Sequence, residues 1–247
     1  VTATSKVYLD PLPTPQHVLI VLAHPDDAEF FAGGTLAKWA SEGAHLSLFL
    51  ITSGDKGSGD TAMLDHQALA ILRESEARAA AAHLGIQEVI FLRRRDGELS
   101  PNLALRRDIT RMIRLKRPDA LLSSDPLLRY RAHNRINHPD HWSVAEAVNA
   151  AFYPAARDHL SFPELYRDEG LEPHKTRWLY LALPTDPNYR VEITDYRQRQ
   201  IEALKLHSSQ IGDPVEFETR MRERYDPELT GNGEPRYVEY FRVIDLG

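Results

Sequence analysis

The residues of this 247-residue chain whose types and spacing could do chemistry fall in two short runs: His24, Asp26 and Asp27 in HPDDAE (24–29), and His138, Asp140 and His141 in HPDH (138–141). Imidazole and carboxylate together suit a borderline divalent cation such as zinc. His24 and Asp27 are three positions apart, with Pro25 restricting the backbone between them, so a tight turn would let both converge on one ion. The same residues could instead cap a strand and the next helix, whose free N–H groups and positive dipole end favour carboxylates.

The second run decides between these readings. Pro139 suits a first helical turn, which places His138 and His141 at a helix N-terminus, and two His-Pro-Asp triplets at one sheet edge are hard to attribute to capping. His24, Asp27 and one histidine of the second run would leave an open coordination position, the arrangement of a catalytic zinc. Asp26 is then spare and could take a proton from water as a general base. Asp140 could orient the unliganded histidine by accepting its second N–H.

The elements that must position these residues are legible as apolar runs. Those at 17–23, 45–51, 88–92 and 119–122 alternate with helical patterns at about 33–43, 66–84, 102–116 and 141–152. Short continuous apolar runs separated by helices predict an α/β, Rossmann-like fold with a mainly parallel sheet flanked by helices. The second half predicts a strand at 177–183, helices at about 194–208 and 215–224, a terminal strand at about 237–244, and surface loops at 154–176 and 226–235. No composition break marks a second domain. The expectation is a single domain over 1–247, with a core at about 16–211 and a C-terminal extension at 212–247.

Composition narrows the chemistry. The chain has no cysteine, so any metal must be held by His, Asp or Glu. The net charge is −6 and the 30 basic residues are dispersed apart from Arg93–Arg95, which argues against a nucleic-acid partner. No apolar run reaches the roughly 20 residues that span a bilayer, and the first residues lack a signal-peptide pattern. A soluble, cytoplasmic protein is expected. The glycine-rich TSGDKGSGD stretch lacks phosphate-loop spacing and reads as a pocket wall. Gly33 and Gly34 raise a nucleotide-binding alternative, but HPDDAE occupies the place of the GxGxxG turn. A metal-dependent phosphoesterase would want more carboxylates for a second ion. Glu29 reads as a support for the metal ligands or a helix cap, His207 as a site or a packed residue, and His45, His66 and His83 as structural.

HPDDAE, TSGDKGS (52–58), RESEARAAAAHLG (73–85), RDG (95–97), HPDH and KLHSSQ (205–210) follow one another in an order that resembles the PIG-L or LmbE-like family of zinc-dependent de-N-acetylases. The likeness runs from about residue 16 to 211. It implies that His24, Asp27 and His141 bind one zinc per chain and that Asp26 is the general base. It implies that His138 stabilises the oxyanion or protonates the leaving amine, with Asp140 paired to it. Arg73 and Asp96 resemble contacts to sugar hydroxyls, although Arg73 could equally pair with Glu74 or Glu76 on its own helix. The implied substrate is a small N-acetylglucosamine-containing molecule that loses acetate. Neither a nucleic acid nor a membrane is implied as a partner, and the aromatic and Pro-rich loops at 152–189 could supply a contact in a homo-oligomer.

Overall fold

The computed structural model describes residues 10–59, 62, 65–131 and 134–247. In chain order the elements are β1 (His17–Leu22), α1 (Asp27–Ser41), β2 (His45–Thr52), α2 (His66–Leu84), β3 (Glu88–Arg94), α3 (Leu103–Lys116) and β4 (Ala120–Ser124). A small hairpin, β5 (Tyr130–Arg131) and β6 (Arg135–Ile136), precedes α4 (Pro139–Phe152) and the short α5 (Pro163–Arg167). Then follow β7 (Trp178–Ala182), β8 (Tyr189–Glu192), α6 (Arg197–Lys205), α7 (Ser208–Ile211), α8 (Pro214–Arg222), α9 (Pro227–Thr230) and β9 (Val238–Asp245).

The main sheet has the order β3-β2-β1-β4-β7-β9-β8. The pairs from β3 through β7 are all parallel, and β9 runs antiparallel to both β7 and β8. The result is a single α/β domain with a mixed, mostly parallel sheet, the Rossmann-like arrangement that the alternating runs predict. Strand β1 explains why its run carries no polar residue after His17. Val18, Ile20 and Leu22 enter a core under α1, α2 and α6, while Leu19 and Val21 enter a second core under α3 and α4. With both faces covered, every position of the strand after the exposed His17 is apolar. Each such residue, fully buried, contributes about 1.5–3 kcal/mol.

Chain order reverses beside β1: the chain moves outward through β2 and β3, then returns to lay β4 on the other side. Such a switch point opens a crevice at the carboxyl ends of the two strands. HPDDAE follows β1 there, and HPDH follows β4 after the hairpin.

The elements depart from the sequence expectations in several places. The segments 154–176 and 226–235, expected as loops, carry the short helices α5 and α9, and the β5–β6 hairpin was not expected. Helix α1 starts earlier, at Asp27, because Asp27 and Glu29 in its first turn suit a helix N-terminus, and it kinks at Ala32, so the segment expected from about residue 33 is its second part. The two glycines are packing residues inside that helix: a Cβ on Gly34 would come within 2.5 Å of Ile193, and one on Gly33 within 2.8 Å of Gln200. The helix expected at 194–208 is a short 3-10 turn at Thr194–Tyr196 followed by α6, and it breaks at His207, whose ring is fully buried. Strand β8 was not expected; its four residues alternate between buried and exposed, as an edge strand does. The terminal strand β9, from the segment 212–247, lies between β7 and β8. No helix among the described residues is long and apolar enough to cross a membrane.

Candidate active site

The first turn is tied down before any side chain reaches the crevice. Ala23, just past β1, accepts hydrogen bonds from both the N–H and the hydroxyl of Thr52 at the end of β2, each 2.9 Å. Asp26 then takes a positive φ of 94°, a conformation that costs a non-glycine residue about 1–3 kcal/mol and persists only where its surroundings enforce it. Part of that enforcement comes from Arg73 of α2. One terminal nitrogen donates to the Pro25 carbonyl at 2.9 Å and lies 3.4 Å from the Asp26 carboxylate, and the other donates to the Gly54 carbonyl at 3.2 Å. Gly54 has φ 64°, and a Cβ there would meet the Arg73 guanidinium at 2.4 Å, so glycine is required for the clamp. Asp27 closes the turn by accepting from the His24 N–H at 2.9 Å.

The second turn is built around Asn137, which is buried. Its side-chain N–H donates to the Leu128 carbonyl at 2.8 Å, which fixes the amide so that Oδ1 faces His141 Nδ1 at 3.1 Å. His141 therefore carries its proton on Nδ1 and keeps the Nε2 lone pair free. His138 caps α4, its Nδ1 accepting from the Asp140 N–H at 3.3 Å.

The two turns converge. His141 Nε2 lies 3.0 Å from Asp27 Oδ1 and 3.3 Å from His24 Nδ1, and His24 Nδ1 lies 3.6 Å from Asp27 Oδ2. Ligands at about 2.0–2.1 Å from a tetrahedral ion stand about 3.3 Å from one another. The far nitrogen of His24, Nε2, faces Asp96 at 3.0 Å and Asp140 at 3.3 Å, so carboxylates hold that ring with Nδ1 turned toward Asp27. Among the described residues, two sets of potential ligand atoms lie within 4.8 Å of one another: His24, His138 and His141, and His24, Asp96 and Asp140. The second set orients His24, and of the two histidines that join His24 in the first, His141 approaches Asp27 to 3.0 Å. The residues therefore fit a divalent cation.

Electrostatics agree. Burial acts to lower the His24 pKa, but the hydrogen-bonding carboxylates of Asp140, Asp27 and Asp96 outweigh it and push the ring up to about 12, so this pocket favours positive charge. Burial acts to raise Asp27, yet His141 and His24 hold it well below the usual carboxylate range. Asp26 is pushed up to about 7 by burial and by the adjacent Asp27 charge, against the opposing pull of Arg73. His138 is held below its ordinary value by burial and by His24.

All the expected site residues except Asp140 line one cleft of about 440 Å³. Three individual expectations change. The Asp140 carboxylate does not pair with His138; it accepts from the Gly97 and Leu99 N–H groups, at 2.7 and 3.2 Å, and faces His24, because His138 is spent on capping the helix whose first turn holds Asp140. Asp96 lines the cleft but has one oxygen on His24. Arg73 pairs with neither Glu74 nor Glu76, which are taken by Arg93 and Ser53 and by Ser208 and Ser209. Lys56 and Gly57 of the glycine-rich stretch do form part of the cleft wall. Glu29 and His207 meet behind the site at 3.4 Å, both fully buried. Sequence reasoning gave Asn137 no role; its position one residue before HPDH was the only signal available, since its bond to His141 depends on how the chain turns into α4.

The comparisons with known proteins point the same way. The model of the PIG-L family, GlcNAc-PI de-N-acetylase, matches residues 19–152. The chain is 30% identical over 239 residues to the diacetylchitobiose deacetylase of Thermococcus kodakarensis, covering 95% of this chain and 85% of the relative. It is 27% identical to a probable N-acetyl-alpha-D-glucosaminyl L-malate deacetylase 2 of Bacillus anthracis, over 87% of this chain and 89% of the relative. Among solved structures, the N,N'-diacetylchitobiose deacetylase from Pyrococcus horikoshii superposes with a TM-score of 0.83 at 28% identity, covering 94% of this chain and 84% of that one. With both family motifs converging at one switch-point crevice, the chain belongs to the PIG-L (LmbE-like) family of metal-dependent de-N-acetylases.

Proposed function

We propose that this protein hydrolyses the N-acetyl group of a small N-acetylglucosamine-containing substrate, releasing acetate and the free amino sugar. The observation that carries the reading is the meeting of His24, His141 and Asp27 at 3.0–3.6 Å with Asp26 beside them in one cleft. His24 Nδ1, His141 Nε2 and Asp27 would hold one zinc ion, the metal that this nitrogen and oxygen donor set suits. When bound there, the ion acidifies water and polarises a carbonyl.

The chain's own residues then have separate tasks. Asp26 receives the proton of the attacking water as its oxygen bonds to the amide carbon, the role of a general base. His138 accepts at Nδ1 from the α4 backbone, so its ring proton is on Nε2 and can donate to the developing oxyanion. The C–N bond breaks, acetate departs, and the proton passes to the leaving nitrogen. Asp96 and Asp140 keep the His24 ring oriented throughout, Asn137 does the same for His141, and Arg73 holds the Asp26 turn. We assign sugar-hydroxyl contacts to Arg73 and Asp96, which also line the cleft. The diacetylchitobiose and glucosaminyl-malate relatives support a soluble glycoside of N-acetylglucosamine as substrate.

The test is amine release from a panel of N-acetylglucosaminides by zinc-loaded protein. Release that a chelator abolishes and zinc restores is the expected result. No amine from any member of the panel would overturn the reading.

A further inference from the structure

The cleft continues beyond the reacting residues. Past Phe30, Phe31 and Leu183 it opens into a second lobe of about 480 Å³, walled by the β5–β6 hairpin, by Tyr237 and Tyr240, and by the chain just after α8. Arg131 and Arg224 line both lobes and so stand at their junction. Arg131 spends Nε on an uncharged acceptor, Asn137 Oδ1 at 3.2 Å, and its two terminal nitrogens remain. Among the described residues, the Arg224 guanidinium has no hydrogen-bond partner, and neither arginine meets a carboxylate. Arg107, Arg111, Arg177, Arg236 and Arg242, by contrast, each do.

Positive charge outnumbers negative among the described residues that line the lobe, with Arg131, Arg197 and Arg224 against Glu239. Arg197, deeper in it, is held by the Gln200 side chain and the Met221 carbonyl, and its guanidinium stacks 4.9 Å from the centre of the Tyr237 ring. Among the described lining residues Glu239 is the one carboxylate, and its oxygens are taken by the N–H groups of Gly34 and Thr35 and by Gln200. Burial holds the Arg131 guanidinium below its usual pKa, with Asp27 opposing and repulsion from Arg224 and Arg135 adding to the fall. An anion placed between two such guanidiniums would relieve the repulsion and gain charge-assisted hydrogen bonds. Arg131 stands close beside the reacting residues: its Nε and His141 Nδ1 share the Asn137 Oδ1 acceptor at 3.2 and 3.1 Å, and its guanidinium lies 5.9 Å from the centre of the Phe31 ring.

We infer that the second lobe receives the group linked to the N-acetylglucosamine, and that this group carries an oxyanion, a carboxylate or a phosphate, gripped by Arg131 and Arg224. The inference rests on the proposed deacetylation and names the other half of its substrate.

The experiment compares kcat/KM for three N-acetylglucosaminides: a neutral disaccharide, a glycoside of a hydroxy acid, and a glycosyl phosphate. The wild type is expected to favour at least one anionic compound over the neutral one by about tenfold or more, with the preference weakening as salt rises. Which anionic compound leads identifies the oxyanion. Arg131→Gln and Arg224→Gln should each reduce that anionic-to-neutral ratio by about tenfold, the scale of one charged hydrogen bond. A wild-type preference for the neutral disaccharide, or a ratio unchanged in the double variant, would overturn the inference. If no compound releases amine, the deacetylation reading fails, and calorimetric titration of the zinc-loaded protein with the two anionic glycosides still tests the lobe. Binding about tenfold weaker in the double variant supports it, and equal binding or no binding overturns it.

Discussion

The two lobes of the cleft are held by different means. In the lobe where we place the reaction, each side chain proposed as a ligand is fixed from behind: His24 by Asp96 and Asp140, His141 by Asn137, and Asp27 by the His24 N–H. Those supports sit at the ends of sheet strands and the first turns of α1 and α4. In the second lobe the charged groups project from a two-stranded hairpin and from the chain after α8, and Arg131 and Arg224 are exposed. Geometry that must survive every turnover is over-determined, whereas groups that meet a partner keep unused hydrogen-bonding capacity. A fold divided in this way can keep its reaction and change the linked half of its substrate.

The largest test of this contrast is removal of a ligand. Asp27→Ala and His141→Ala should each lose the metal on purification and reduce activity at least a thousandfold, since a site with one of three ligands removed no longer holds its ion. Metal analysis checks it, and zinc retained by both variants would break the assignment. Next in size is Asp26→Asn. Asparagine tolerates a positive φ as aspartate does, so the turn persists. Zinc should stay bound while turnover falls roughly a hundredfold or more, the scale of a general base. An active variant would remove Asp26 from that role. Asn137→Ala should act on the ion through His141, weakening zinc affinity about 10–100-fold, as loss of a ligand's orienting partner does. A competition titration against a chelator reads it, and unchanged affinity would mean that His141 is held by its helix alone.

The same contrast explains what the sequence shows. HPDD and HPDH are legible because each is continuous, the first directly after an apolar run and the second at the start of a helical pattern, and because β1 and β4 are neighbours the two meet. The parallel strands are legible because burial on both faces leaves an unbroken apolar signal. What stays hidden depends on contacts between distant segments. Asp140 looks like a partner for His138, two residues away, but the β3–α3 connection brings the Gly97 and Leu99 N–H groups to it and carries Asp96 to the His24 ring that Asp140 also faces. Gly33 and Gly34 resemble punctuation until Ile193 and Gln200 are packed against them. The second lobe draws on residues from 30 to 240, and no local pattern in the chain joins them.

The smallest expected effect lies at the outer wall of that lobe. Tyr130 is 76% exposed at the start of the hairpin, and its ring offers an apolar face to whatever enters. Replacing it with alanine removes surface contact and no charge. A stacking contact of about 0.5–1.5 kcal/mol corresponds to a KM raised about two- to tenfold. The zinc content should not change, because no ligand or supporting carboxylate touches the hairpin ring. Steady-state kinetics beside metal analysis separate the two quantities. A loss in kcat as large as that of Asp26→Asn would mean that the outer wall shapes the reacting geometry itself, and the division between a rigid chemical end and an adaptable recognition end would not hold.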